Sequence, residues 1–165
     1  MKKILILVPD LTLPGGVANY YNTLQLEKNA NINYFFVNKS KSQSSLGTVF
    51  RLISKYLQFF YILIRNRYQI IHVNPSLDKR SFYRDSVFLI IAKILNRKTL
   101  VFFRGWLDSF ESQIKTSRFK SFLFRNSYAR ANKYIVLSSL FKEKLIDLGV
   151  PATTDFFIET TVADS

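Results

Sequence analysis

Apolar residues along this chain gather into short unbroken runs, separated by longer stretches that repeat every three to four positions. Residues 4–8 (ILILV) show no polar alternation, which is the pattern of a strand buried on both faces. Similar runs stand at 34–37, 70–73, 99–103 and 134–137, with a shorter one at 156–158. Between them, residues 17–26, 47–66, 81–95, 115–131 and 139–148 carry helical periodicity. Turn signals punctuate the pattern. Pro14-Gly15-Gly16 precedes the first helix, a polar stretch fills 38–45, and Asn74-Pro75-Ser76 and Gly105 follow strands. Gly149 and Pro151 close the last helix.

Strand and helix alternating five times predict βαβ units and a parallel sheet. Right-handed crossovers then place helices on both faces, giving a Rossmann-like, doubly wound α/β domain. That domain is expected over residues 1–159, with the small polar residues 160–165 starting a linker or forming a cut end. No apolar run reaches the ~18–20 residues that span a bilayer. The N-terminal run stops at Pro9-Asp10, too short for the core of a signal peptide. A soluble or peripheral protein is the expectation.

In open parallel sheets, ligands bind beyond the carboxyl ends of the strands. Here those ends supply Asp10, Asn74, Ser76, Arg104, Gly105, Trp106 and Ser138, and Asn19 on the first helix is counted with the same rim. Gly15 and Gly16 let a ligand approach the backbone closely, at a helix N-terminus that favours anions. The pair fits neither G-x-G-x-x-G nor a Walker loop, so a plain strand-to-helix turn competes with the binding reading. Arg104, at the end of an apolar strand, suits phosphate or carboxylate and keeps its charge. An ion pair with Asp108 or Glu111 is the alternative. His72 lies inside an apolar run and reads as a core histidine. No nucleophile–histidine–acid set is complete, and catalytic residues stay unassigned.

Composition narrows the classes. With 48% hydrophobic residues the chain can bury a full core, which excludes intrinsic disorder. The absence of cysteine removes disulfides, thiolate metal sites and thiol nucleophiles, and a single histidine excludes a multi-histidine metal site. A reducing cytosol suits the chain.

Lys and Arg number 24 against 11 Asp and Glu, a net charge of +13. No acid occurs between Lys28 and Leu77, or from Ser112 to Lys142. On the helix expected at 47–66, the polar residues fall in one arc, with Ile62 the exception among them, and the other apolar residues fill an arc wider than a one-sided surface helix needs. Basic residues alternate with Phe119, Phe122 and Phe124 in the second stretch. Such surfaces suit an anionic membrane. The membrane-facing candidates are Arg51, Lys55, Lys115, Arg118, Lys120 and Arg125. A core-facing helix with a solvated basic face is the competing reading. Nucleic acid is not expected as a partner, because no helix-turn-helix, RNP or KH pattern occurs.

Four segments, in order, resemble the N-terminal half of GT-B glycosyltransferases, in particular the retaining family 4. KKILILVPDLTLPGGVANYYNTL is similar to that family's first strand, glycine loop and first helix. YQIIHVNPS resembles its D-(I/V)-(V/I)-H-x-(H/N) strand, and TLVFFRGW its strand ending in His-Gly or Arg-Gly. ANKYIVLSSLFKEKLIDLGVP resembles the segment before the domain crossover. Gln69 and Asn132 stand where Asp is usual, and Arg104 replaces a frequent histidine. The resemblance covers roughly residues 1–160, and family members run to about twice this length. Their second domain, with the nucleotide-sugar site and an E-x7-E motif, lies outside these residues.

The resemblance implies hexosyl transfer from a nucleotide-sugar to a glycan or lipid-linked acceptor, in polysaccharide or lipopolysaccharide assembly. It implies no cofactor or metal, and a peripheral position on the inner face of the cytoplasmic membrane. This half would supply the acceptor rim and, through Gly15 and Gly16, contacts to the donor diphosphate, and would be inactive alone. The alternative is a non-catalytic module that binds an anionic partner, a membrane surface or a protein.

Overall fold

The computed structural model describes residues 2–37 and 45–159, so most of the loop expected at 38–45 and the end at 160–165 lie outside it. The first half of the chain folds as β1 (Lys3–Val8), α1 (Gly16–Leu24), β2 (Ile32–Phe36), α2 (Ser45–Arg65), β3 (Tyr68–Val73), β4 (Ser76–Leu77) and α3 (Lys79–Ile94). The second half adds β5 (Lys98–Phe102), β6 (Gly105–Trp106), α4 (Asp108–Thr116), α5 (Arg118–Asn126), β7 (Lys133–Val136), α6 (Ser139–Asp147) and β8 (Asp155–Ile158).

Six strands form one parallel sheet in the order β2-β1-β3-β5-β7-β8. This is the Rossmann-like, doubly wound architecture expected from the alternation of runs. The chain steps one way from β1 to β2, then turns back past β1 to β3 and continues in that direction. Right-handed crossovers therefore put α1 on one face and α2 to α6 on the other.

Side-chain alternation agrees. Leu5, Leu7, Phe35, Val73, Val101, Tyr134 and Val136 enter the large core with residues of α2 to α6. Ile6 and Val8 point the opposite way and pack with Tyr21 of α1. Phe59 and Leu63 anchor α2, with the Phe59 ring 5.4 Å from Phe35 and 5.0 Å from Phe88.

Two local features depart from the sequence pattern. The single helix expected at 115–131 is divided: α4 ends at Thr116, α5 begins at Arg118, and a 3₁₀ turn covers Tyr128–Arg130. Ser117 is the cause. Its backbone is extended (φ −95, ψ 115) and its hydroxyl accepts the Lys120 N–H, so it caps a new helix instead of continuing the old one. The second departure is the two-stranded ribbon of β4 and β6, in which Ser76 pairs with Gly105 and Leu77 with Trp106.

The orientation of α2 gives a paired test. Phe59→Ala should cost about 3–5 kcal/mol in denaturant unfolding, because it empties a filled site. Phe50, 78% exposed on the same helix, should change stability by only about 0.5 kcal/mol when replaced by Ala. Equal losses would mean that α2 is rotated from the described orientation.

Candidate functional site

The strand order reverses between β1 and β3, which opens a crevice at their carboxyl ends. A cavity of about 150 Å³ lies there, lined by Leu7, Val37 and Val73 from the sheet, Val17 from α1, and Arg84 and Asp85 from α3. Asn74 also lines it and ties the two sides together. Its amide donates to the Leu7 carbonyl (3.0 Å), and its side-chain oxygen accepts from the Tyr21 hydroxyl (2.8 Å).

Asp85 is 2% exposed, and Arg84 grips it with two donors at 2.6 and 2.8 Å. Burial pushes the Asp85 carboxyl above the usual range, and the Arg84 guanidinium pulls it part of the way back. A charged pair at the edge of an apolar cavity is costly to break and well placed to orient polar groups that enter.

On the α1 side stands Arg104. Its guanidinium carbon sits 4.0 Å from the Tyr20 ring centroid and 4.3 Å from that of Phe102, two cation–aromatic contacts that fix the side chain. Its Nη1 is buried without a hydrogen-bond partner among the described residues. Burial draws the guanidinium pKa below its ordinary value, with Tyr21 and Tyr20 opposing that.

The backbone around Arg104 is clamped as well. Its N–H donates to the Pro75 carbonyl (2.9 Å), and the adjoining ribbon brings Ser76 so close to Gly105 that an added Cβ would meet Ser76 Oγ at 3.0 Å. The expected alternative, an ion pair with Asp108 or Glu111, is not formed. Glu111 instead accepts from the Trp106 indole (2.7 Å) and pairs with Lys115 and Lys144, and Asp108 pairs with Lys144.

Gly16 lies four residues before Tyr20 and therefore on the same face of α1. Arg104 therefore stacks on a ring of the α1 face that also carries Gly16, one turn further along the helix. The N-terminus of α1 has no side-chain cap, and a Cβ added at Gly15 or Gly16 would meet open space. The backbone there is extended rather than left-handed at Gly15 (φ 167), so the glycines leave room instead of relieving strain.

His72 is 9% exposed on the same sheet face, stacked beside Phe102, with its Nε2 unpartnered among the described residues. Burial, and next the Arg104 charge, lower its pKa to about 4.

The structure thus gathers Gly15, Gly16, Asn74, Ser76, Arg104 and Gly105 around one end of the sheet. Asp10 folds into its own turn, accepting from the Thr12 N–H and hydroxyl. Asn19 is exposed on α1, Trp106 packs on Phe141, and Ser138 stands at the start of α6. Among the basic candidates, Lys55 reaches back over the Phe35 ring and donates to Gln58, and Lys115 pairs with Glu111 and Asp147. Lys120 donates to Gln113, while Arg118 and Arg125 are exposed and Arg51 is half-buried on α2. Sequence reasoning missed Tyr20 and the Arg84–Asp85 pair. The spacing of Tyr20 from Gly16 was the available signal for the first.

No protein-family model matches the chain, and neither does any curated protein. Among solved structures the chain is similar to Anabaena HepE in complex with UDP, at 17% sequence identity and a TM-score of 0.45. The similarity covers 94% of this chain and 43% of that one, so the chain spans less than half the length of that protein.

The single histidine makes the site easy to titrate. His72 should stay neutral in the folded protein until about pH 4, seen as one imidazole signal in NMR. The unfolded chain takes up this proton first, near the ordinary value of 6.5, so stability should be full above that pH and fall as pH drops toward 4. The contribution approaches about 3 kcal/mol, and His72→Gln should remove it from the pH dependence of urea unfolding. A His72 signal that titrates near 6.5 would show that the ring is solvated.

Proposed function

We propose that this chain is the N-terminal, acceptor-side half of a GT-B glycosyltransferase resembling family 4, transferring a sugar from a nucleotide-sugar to a glycan or lipid-linked acceptor. The observation that carries the reading is Arg104: a guanidinium held by two rings, one of them Tyr20 of the helix whose N-terminus is uncapped, with a buried donor unsatisfied. Both features attract the same ligand chemistry, a phosphate or diphosphate. The ordered four-segment resemblance supports the reading independently.

In this reading the first amides of α1, at Gly15 and Gly16, and Arg104 face the donor diphosphate. As the bond to the sugar breaks, negative charge builds on that leaving group, and fixed donors in a partly dry site stabilise it most at that stage. The neighbouring cavity takes the acceptor, with Asn74 and the Arg84–Asp85 pair as its polar groups. The nucleotide and the rest of the sugar-binding site belong, on the resemblance, to a second domain. Retention at the anomeric carbon, a hexosyl donor and a role in polysaccharide or lipopolysaccharide assembly are parts of the same proposal.

Inorganic pyrophosphate is the direct probe. Titration should shift the amide signals of Gly15, Gly16 and Val17, and Arg104→Ala should weaken binding about ten-fold or more, the worth of a charged hydrogen bond. Arg104→Lys should fail to restore it, because a lysine offers no plane to stack and no fork of donors. Binding that is unchanged in Arg104→Ala would return this side chain to a packing role and remove the main support for the reading.

A further inference from the structure

We infer that Glu111 of α4 is the positioning residue that holds the Arg104 backbone in place, acting through the indole of Trp106. The anion-binding role of Arg104 rests on the diphosphate reading; the way its backbone is held does not. In a regular strand, residues two apart point to one side. Arg104 and Trp106 break that rule. Arg104 stacks on Tyr20 of α1, whereas Trp106 packs into the core of the opposite layer, with its ring centroid 5.7 Å from Phe103 and 5.0 Å from Phe141 of α6. The chain therefore changes sides at Gly105, where an added Cβ would meet Ser76 Oγ at 3.0 Å.

Little backbone holds that change of side. The ribbon of β4 and β6 pairs only Ser76 with Gly105 and Leu77 with Trp106, and a ribbon this short has no stability of its own. One further bond lies beyond each end: the Arg104 N–H donates to the Pro75 carbonyl (2.9 Å) and the Leu107 N–H to the Leu77 carbonyl (3.2 Å). Side chains have to supply the rest. Leu77 is buried, and the Trp106 indole donates to Glu111 at 2.7 Å.

Glu111 is itself fixed. It is 7% exposed, one of its oxygens binds Lys115 at 2.8 Å, and the oxygen that takes the indole lies 3.3 Å from Lys144 of α6. Burial disfavours its charge, but the Lys115, Trp106 and Lys144 donors outweigh burial and hold the carboxyl below its ordinary range. The acceptor for the indole is thus charged, buried and tied to two helices, which makes this a strong bond. From there the chain runs through Trp106 and Gly105 directly to Arg104. Without the acceptor, the part-buried indole N–H has no partner, and Trp106 gains by moving to water and drawing the ribbon with it.

Two substitutions separate positioning from charge. Glu111→Gln keeps an oxygen for the indole and loses the charge, while Lys115 and Lys144 retain Asp147 and Asp108. Glu111→Leu removes both. Amide hydrogen exchange at Arg104 and Leu107 should be about ten-fold or more faster in Glu111→Leu, the worth of a charged hydrogen bond, and close to native in Glu111→Gln. The amides of β1 and β3 should be unchanged in both. Trp106→Phe keeps a ring but lacks the N–H, so it should reproduce the Glu111→Leu pattern and covers the case in which Glu111→Leu folds poorly.

Inorganic pyrophosphate gives a second readout. Both Glu111 substitutions remove a negative charge, which on electrostatics alone strengthens anion binding equally. Positioning predicts instead that Glu111→Gln binds pyrophosphate at least as tightly as the native chain and Glu111→Leu about five-fold or more weakly. Native exchange at Arg104 in Glu111→Leu and Trp106→Phe, or the same behaviour of Glu111→Gln and Glu111→Leu, would overturn the proposal. Faster exchange throughout the sheet would overturn it too, by reducing Glu111 to a general stabilising role. A native chain that fails to bind pyrophosphate removes the diphosphate reading and leaves the exchange pattern to decide the role of Glu111.

Discussion

A right-twisted strand returns its following helix to a parallel sheet from one side only, and most of this domain's layout follows from that handedness. Because the chain steps outward just once, from β1 to β2, a single helix covers one face. Every later crossover moves the other way and adds to the opposite layer. The reversal also fixes where a ligand can enter, since the helices that follow β1 and β3 part on either side of the sheet and leave their carboxyl ends uncovered. The cavity beside Asn74 occupies that gap, and the bonds from Asn74 to Leu7 and Tyr21 keep the strand ends and α1 in fixed relation around it.

The thin face explains the behaviour of Arg104 and His72. With α1 alone above this end of the sheet, side chains have to cover the surface, and Tyr20, Tyr21, Phe102 and Arg104 do so. The two ring contacts hold the cation with roughly 1 kcal/mol each, enough to fix its direction but leaving its Nη1 without a partner among the described residues. A buried guanidinium donor left open costs more than that to keep dry. The arrangement is therefore unfavourable for as long as that donor stays open. His72 adds to the asymmetry: burial and the Arg104 charge hold it neutral near neutral pH, so Arg104 is the cation of this face.

Much of this was legible in the sequence because parallel strands buried on both faces write themselves as apolar runs. All six sheet strands, the glycine loop and the positions of Arg104 and Asn74 at strand ends could be read that way. What escaped depended on geometry that periodicity does not encode. The ribbon of β4 and β6 is two residues long on each side, below any repeat. The break at Ser117 rests on one hydroxyl competing with the backbone, inside a stretch whose apolar spacing continues on both sides. Adjacent residues on a helix do not normally face each other, so the pairing of Arg84 with Asp85 had no signature. The wide apolar arc of α2 was visible, but only the fold separates its buried sector from its open one.

These elements place Arg104 and the exposed apolar arc of α2 on opposite sides of one sheet. Arg104 follows the side-chain parity of His72 and Phe102 and belongs to the α1 face, whereas α2 belongs to the thicker layer. The crevice lies between them at the end of the sheet, touched by Val17 of α1 on one side and by Val37 and α3 on the other.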